Sequence, residues 1–117
     1  MIVSDGFESR LFDVSNRSGY TFMKQVPAFT QEDLLNEDVY ILDAYHELFI
    51  WVGKKSNKFE KNGAYKNAAK FMESLTDGRK KEDITIVEVE PTREPPYFKV
   101  QFPSWDDEFS KRWLVED

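Results

Sequence analysis

Few residues in this chain have side chains suited to chemistry, and their placement narrows the choice further. His46 is the single histidine and falls in Tyr45-His46-Glu47, a link between two apolar runs, where a solvent-facing turn residue is expected rather than a general base. Cysteine is absent, so there is no thiol nucleophile, no thiolate metal site and no disulfide framework. No glycine-rich phosphate loop, Ser-His-Asp order or His-rich metal spacing occurs. The chain does not read as an enzyme. Carboxylates remain, and most acids of an acidic protein simply solvate its surface. Asp38 and Glu60 differ, because folding can bring them to one place. Two carboxylates that face each other repel unless a positive charge lies between them. Calcium would remove that repulsion, since it takes carboxylate and carbonyl oxygens at loose geometry.

The elements that carry Asp38 and Glu60 decide whether they meet. Residues 39–44 and 48–52 are nearly continuous apolar runs rich in Val, Ile, Tyr, Phe and Trp. Strands without in–out alternation are covered on both faces, and the short link predicts an antiparallel hairpin at the centre of a sheet. Asp38 opens the first strand, and the second ends beside it at Val52-Gly53. A long helix follows. Asn57 and Glu60 have capping-box spacing, Ala64, Ala68, Phe71, Met72 and Leu75 form one apolar stripe, and Gly78 is the expected stop. The first turn of this helix therefore belongs to the edge that carries Asp38. The plain alternative is that Glu60 only completes the cap with Asn57 and Asp38 is a surface acid. Spacing alone leaves both readings open.

The flanking segments complete a two-sided fold. Residues 10–15 and Tyr20–Val26 read as strands joined by turn chemistry in Asn16-Arg17-Ser18-Gly19, and Thr30 opens a helical turn that contains Asp33. Residues 84–89 read as another strand, so strand, long helix and strand form a crossover that lays the helix on one face. Glu94-Pro95-Pro96 starts a short helix containing Tyr97, Phe98 and Phe102, placed on the opposite face. The expected class is α/β (α+β), with a mixed sheet of about five strands between one long and one short helix.

A length of 117 residues fits one domain, and 40% hydrophobic with 15% aromatic residues supply a core. The net charge of −6 disfavours nucleic acid. A polyanion such as a phosphoinositide would need a local basic patch; Lys54-Lys55 and Lys80-Lys81 are the pairs on offer, and such pairs are ordinarily solvated loop ends. No stretch is long and apolar enough to span a bilayer, and the first ten residues lack the apolar run of a signal peptide. A cytoplasmic location is expected.

Taken in order, several runs resemble the gelsolin/villin/severin repeat. They are Arg10-Leu11-Phe12, Gln31-Glu32-Asp33-Leu34, Asn36-Glu37-Asp38-Val39-Tyr40-Ile41-Leu42-Asp43 and Leu48-Phe49-Ile50-Trp51-Val52-Gly53-Lys54. Glu60-Lys61 with Ala64 and Ala68, then Gly78-Arg79, then Pro95-Pro96-Tyr97-Phe98 continue the match. The ordered set is specific, and it spans residues 9–105, leaving 106–117 as a tail. The resemblance implies the same sheet between a long and a short helix. It also implies a calcium-regulated, cytoskeletal, actin-binding module that binds monomers, caps filaments or contributes to severing them. Its calcium site would take the side chains of Asp38 and Glu60 and the carbonyl of Glu37, with the carbonyl of Asn16 added as in several C-terminal-type repeats. A second calcium shared with actin would use an acid late in the long helix, where Met72 is the aligned residue and Glu73 its neighbour. The outward face of that helix carries Lys66, Asn67 and Lys70, so Lys66, Lys70 and Glu73 are the candidate actin contacts. The third and sixth repeats of the long family members, often regulatory, are the most similar. The alternative is a structural or coat-type adaptor of the same fold with no actin role.

The tail has its own pattern. Ser104 is placed to cap a helix whose first turn holds Asp106, Asp107 and Glu108, with Trp105, Phe109 and Trp113 recurring every four residues. Such a stripe either closes the core beside the short helix or acts as a latch over the actin-facing surface.

Overall fold

The computed structural model describes residues 2–4, 7–17 and 20–114. The chain opens with a two-stranded antiparallel ribbon, β1 (Ile2–Ser4) and β2 (Phe7–Glu8). The main sheet is built from β3 (Arg10–Arg17), β4 (Tyr20–Val26), β5 (Val39–Asp43), β6 (Glu47–Val52) and β7 (Thr85–Val89). Their spatial order is β4-β3-β5-β6-β7. The first four strands pair antiparallel, whereas β7 runs parallel to β6, with Glu47 opposite Thr85 and Trp51 opposite Val89. A parallel pair needs a long connection, and helix α1 (Lys58–Glu73) supplies it. Part of the expected turn between β3 and β4, Ser18 and Gly19, lies outside the described residues.

The unbroken apolar runs predict the centre of the sheet correctly. Every residue of β5 is buried, as are residues 48–51 of β6. Their alternate side chains divide into two cores. Phe12, Val14, Val39, Ile41, Leu48 and Ile50 pack with Ala64, Ala68, Phe71, Met72 and Leu75, so the predicted stripe is the buried side of α1. Leu11, Tyr40, Leu42, Phe49 and Trp51 pack on the other face with Phe98 and Phe102. Phe98 lies on the short helix α2 (Pro96–Lys99), whose first residue is proline, as expected for a first turn without a free amide requirement.

Three expected helix boundaries differ. α2 stops at Lys99, so Phe102, expected within it, packs from the turn that follows. α1 stops at Glu73, well before Gly78. The Ser74 amide donates to the carbonyls of Lys70 and Phe71, and its hydroxyl donates to Phe71 at 2.9 Å, which satisfies the last turn without glycine. Gly78, at φ 95°, instead serves the turn that precedes Arg79. In the tail, helix α3 (Asp107–Ser110) is capped by Asp106, whose carboxylate accepts from the Glu108 amide at 2.9 Å. Ser104 is not the cap; it sits at φ 53°, in a left-handed turn. Trp105 thus precedes the helix and packs edge-on against Phe98 and Phe102, with ring centroids 5.8 and 5.1 Å away. The side chain of Trp113 lies outside the described residues; Trp105 precedes α3 and Phe109 lies within it, so these two do not share one helical face.

Candidate functional site

Of the residues expected to hold a cation, Glu37 and Asp38 lie at the sheet edge that begins β5 and ends β6, and Glu60 lies in the first turn of α1, which follows β6. Asp38 immediately precedes β5, and its carbonyl accepts from the Gly53 amide at 3.0 Å, extending the β5–β6 ladder by one pair. A Cβ at Gly53 would lie 2.6 Å from the Asp38 carbonyl oxygen and would clash with the Asn36 carbonyl, so only glycine lets the two segments approach this closely. Three residues past Lys54, Asn57 caps α1: its side chain accepts from the Glu60 amide at 2.8 Å, and Glu60 Oε1 accepts from the Asn57 amide at 3.3 Å. The capping box is therefore real. It engages one carboxylate oxygen of Glu60 through a long bond and leaves the other.

Asn16, the remaining expected ligand, lies near the end of β3 on the same side of the sheet. Val14 pairs with Val39, so the strand continues from there alongside the segment before β5, and Asn16 itself pairs with Thr21 of β4. Thr21 packs directly on Gly63 of α1, where no Cβ would fit. Asn16, the pair Glu37-Asp38 and the first turn of α1 thus come from three segments, β3, the approach to β5 and the helix that follows β6. The Asp38 and Glu60 side chains do not bond to each other: Asp38 is bonded to the Tyr40 hydroxyl and Glu60 to the Asn57 amide.

Burial, and then the charge of neighbouring Glu37, push the Asp38 carboxyl above the ordinary aspartate value, with the Tyr40 hydroxyl pulling the other way. Tyr40 is itself pushed upward, mainly by burial and despite the Leu35 amide that donates to its oxygen at 3.0 Å, so it remains a neutral hydroxyl. Among the described residues, no ion pair engages Glu37, Asp38 or Glu60. Nor does any group of three or more His, Cys, Asp or Glu side chains come together to hold a metal, among the described residues. The donor set on offer is two carboxylates and two backbone carbonyls. Each carboxylate has several lone-pair directions, and one hydrogen bond does not exhaust them. Hard oxygen donors fit calcium rather than a soft metal.

The outer face of α1 is the second feature of interest. Lys66, Lys70 and Glu73 are exposed there, as expected. Asn67 is not an outward residue: its amide donates to the Thr21 hydroxyl at 3.2 Å and the Gly63 carbonyl at 2.8 Å, which turns it toward β4. Met72 packs against the core, leaving Glu73 as the acid at this end of the helix. Sequence reasoning missed two aromatics on this helix, Phe59 at 74% exposed and Tyr65 at 36%. Their spacing from Ala64 and Ala68 places them off the inward stripe, a signal that was available. Lys54, Lys55, Lys80 and Lys81 are all exposed, and His46 is exposed in its turn.

Residues 22–99 match the family model described as the gelsolin repeat. Gelsolin of Gallus gallus is 38% identical over 114 residues, which cover 96% of this chain and 14% of that protein. Gelsolin-like protein 1 of Caenorhabditis elegans is 41% identical over 105 residues, covering 90% of this chain and 22% of that protein. The chain thus spans under a quarter of the length of these relatives. Among solved structures, the Thorarchaeota 2DGel3 protein in complex with rabbit actin superposes with a TM-score of 0.67 at 28% identity, covering 81% of this chain and 45% of that one.

Proposed function

The chain belongs to the gelsolin repeat family, and from that premise we propose that it is a calcium-regulated actin-binding module. The observation that carries the reading is the juxtaposition of an acid-lined edge, with no ion pair among the described residues, and the first turn of a helix whose outer face is open. Asp38 and Glu60 would hold the ion with their carboxylates, and Glu37 and Asn16 with their carbonyls; bound there, calcium would offset the charge of the two carboxylates. The actin contact is assigned to α1, through Lys66, Lys70 and Glu73 beside the exposed rings of Phe59 and Tyr65. An apolar anchor inside a charged rim is the usual composition of a docking surface. A related protein solved on actin at 28% identity supports that partner.

Binding to fluorescent monomeric actin, with and without millimolar calcium, tests this directly. Wild type is expected to bind, and more tightly with calcium. The double change Lys66→Glu/Lys70→Glu should weaken binding while the melting curve is unchanged. Asp38→Ala should remove the calcium dependence together with the rise in melting temperature that a ligand of the folded state produces. Binding that ignores both sets of substitutions, or a wild-type melting curve indifferent to calcium, would sink the respective half of the reading.

A further inference from the structure

Asn36 is 3% exposed and lies between the two segments that bear the expected calcium ligands. Its Oδ1 accepts from the Lys54 amide at 2.8 Å, and its carbonyl accepts from the Lys55 amide at 2.9 Å. On one side of it, the Asp38 amide donates to Leu35 at 3.1 Å and the Asp38 carbonyl takes the Gly53 amide at 3.0 Å. On the other side, the Gly53 carbonyl accepts from both the Ser56 amide, at 3.1 Å, and the Ser56 hydroxyl, at 2.7 Å. Asn57 then caps α1 and takes the Glu60 amide. Short bonds therefore run without a gap from the Asp38 arm, across Asn36, to the turn that carries Glu60.

We propose that Asn36 is a positioning residue that couples the two halves of the calcium site, so that an ion held by Asp38 and Glu37 tightens the β6–α1 joint and the start of α1. The proposal rests on the calcium reading above. Without the Asn36 side chain, the two arms would be joined only by backbone bonds, and ordering them would be charged against ion binding. Residues that orient metal ligands without touching the metal typically change affinity by about 10–100-fold when removed. The same joint begins the helix assigned to actin, which gives an ion at one edge a mechanical route to the partner face.

Two measurements on the folded chain test the coupling. Calorimetric calcium titration should show Asn36→Ala weakened at least about tenfold, with Asn36→Asp, which keeps the acceptor, recovering most of the loss. Hydrogen exchange at the Lys54 amide gives a readout independent of affinity. In metal-free protein it should be faster in Asn36→Ala than in wild type or Asn36→Asp, and in wild type it should slow when calcium is added. Calcium bound by wild type without any change at Lys54, or bound by Asn36→Ala as tightly as by wild type, overturns the proposal; the wild-type exchange arm decides even where Asn36→Ala fails to fold. A wild type that takes up no calcium overturns the calcium reading itself, a distinct result.

Discussion

At the end of β5 opposite Asp38, the Asp43 carboxylate is fully buried and held by two arginines. Arg10 reaches it at 3.0 Å and Arg79 at 2.8 and 3.0 Å. Arg79, whose side chain is 4% exposed, also binds Asp77 at 2.7 Å and the Tyr45 carbonyl at 2.8 Å, and its guanidinium packs against the rings of Phe7 and Tyr45. Burial alone would lower its basicity, but the bonds and charges of Asp43 and Asp77 outweigh that and hold the guanidinium above its usual value. Removing one member of a buried ion pair strands the other in a low-dielectric site. Asp43→Ala should therefore lose about 3–5 kcal/mol in urea unfolding. Adding Arg79→Met should recover part of that loss by removing the stranded charge; a double variant less stable than the single would contradict this account. This network shows where sequence reasoning stops. The Asn57–Glu60 cap is local, three residues apart, and was legible. Arg79 is 36 residues from Asp43, and only the landing point of the loop after α1 pairs them.

Elements meet through a few polar ties laid over apolar packing. On the α1–β7 seam, the Tyr65 hydroxyl donates to Glu88 at 2.6 Å and Lys61 pairs with the same carboxylate at 3.3 Å. The Tyr65 bond, followed by the Lys61 bond and charge, holds Glu88 below the ordinary glutamate value against the opposing effect of partial burial, while Tyr65 is pushed up to about 12, chiefly by burial. For a carboxylate lowered in the folded state, the stabilisation is complete above its unfolded value. It is lost as pH falls through the lower folded value. Glu88→Gln should thus be less stable than wild type at neutral pH and should close that gap below pH of about 4, as read by thermal melts across pH. In the tail, Gln31 accepts from the Asp106 amide at 2.8 Å and donates to its carbonyl at 2.9 Å, which ties the chain after Trp105 back to the turn before β5. Truncation after Trp105 would leave both ends of a buried amide without these partners, at about 1–3 kcal/mol for each unsatisfied group. A clear fall in melting temperature is expected, and a truncated chain as stable as wild type would favour the latch instead. The four-residue recurrence of aromatics suggested a single helix from Trp105 onward. The left-handed Ser104 and the Asp106 cap moved its start past that residue.

For the molecule as a whole, what the sequence announced best was the sheet covered on two sides, because two unbroken apolar strands admit no other burial. The two cores and the parallel crossover followed from that. What it announced least was the partner, since an outward helix face is defined by residues that do not fold the chain, and Phe59, 74% exposed, adds nothing to the core. The scale of the molecule also limits what it can do to a filament. Severing by prising subunits apart requires two contacts joined by a tether, so that the second forms at high effective concentration once the first is made. Here one long helix face is open, and the chain spans 14–22% of the length of the gelsolin relatives it matches. The chain as given is therefore expected to bind actin monomers without shortening preformed filaments, with or without calcium. Two copies joined by a flexible linker long enough to span neighbouring subunits should gain shortening activity, and Lys66→Glu/Lys70→Glu in either copy should abolish it. Filament lengths followed by fluorescence microscopy decide the matter. Shortening by the single chain would place a second actin contact on a surface other than α1, with the exposed Tyr20 and Phe22 of β4 as the first place to look.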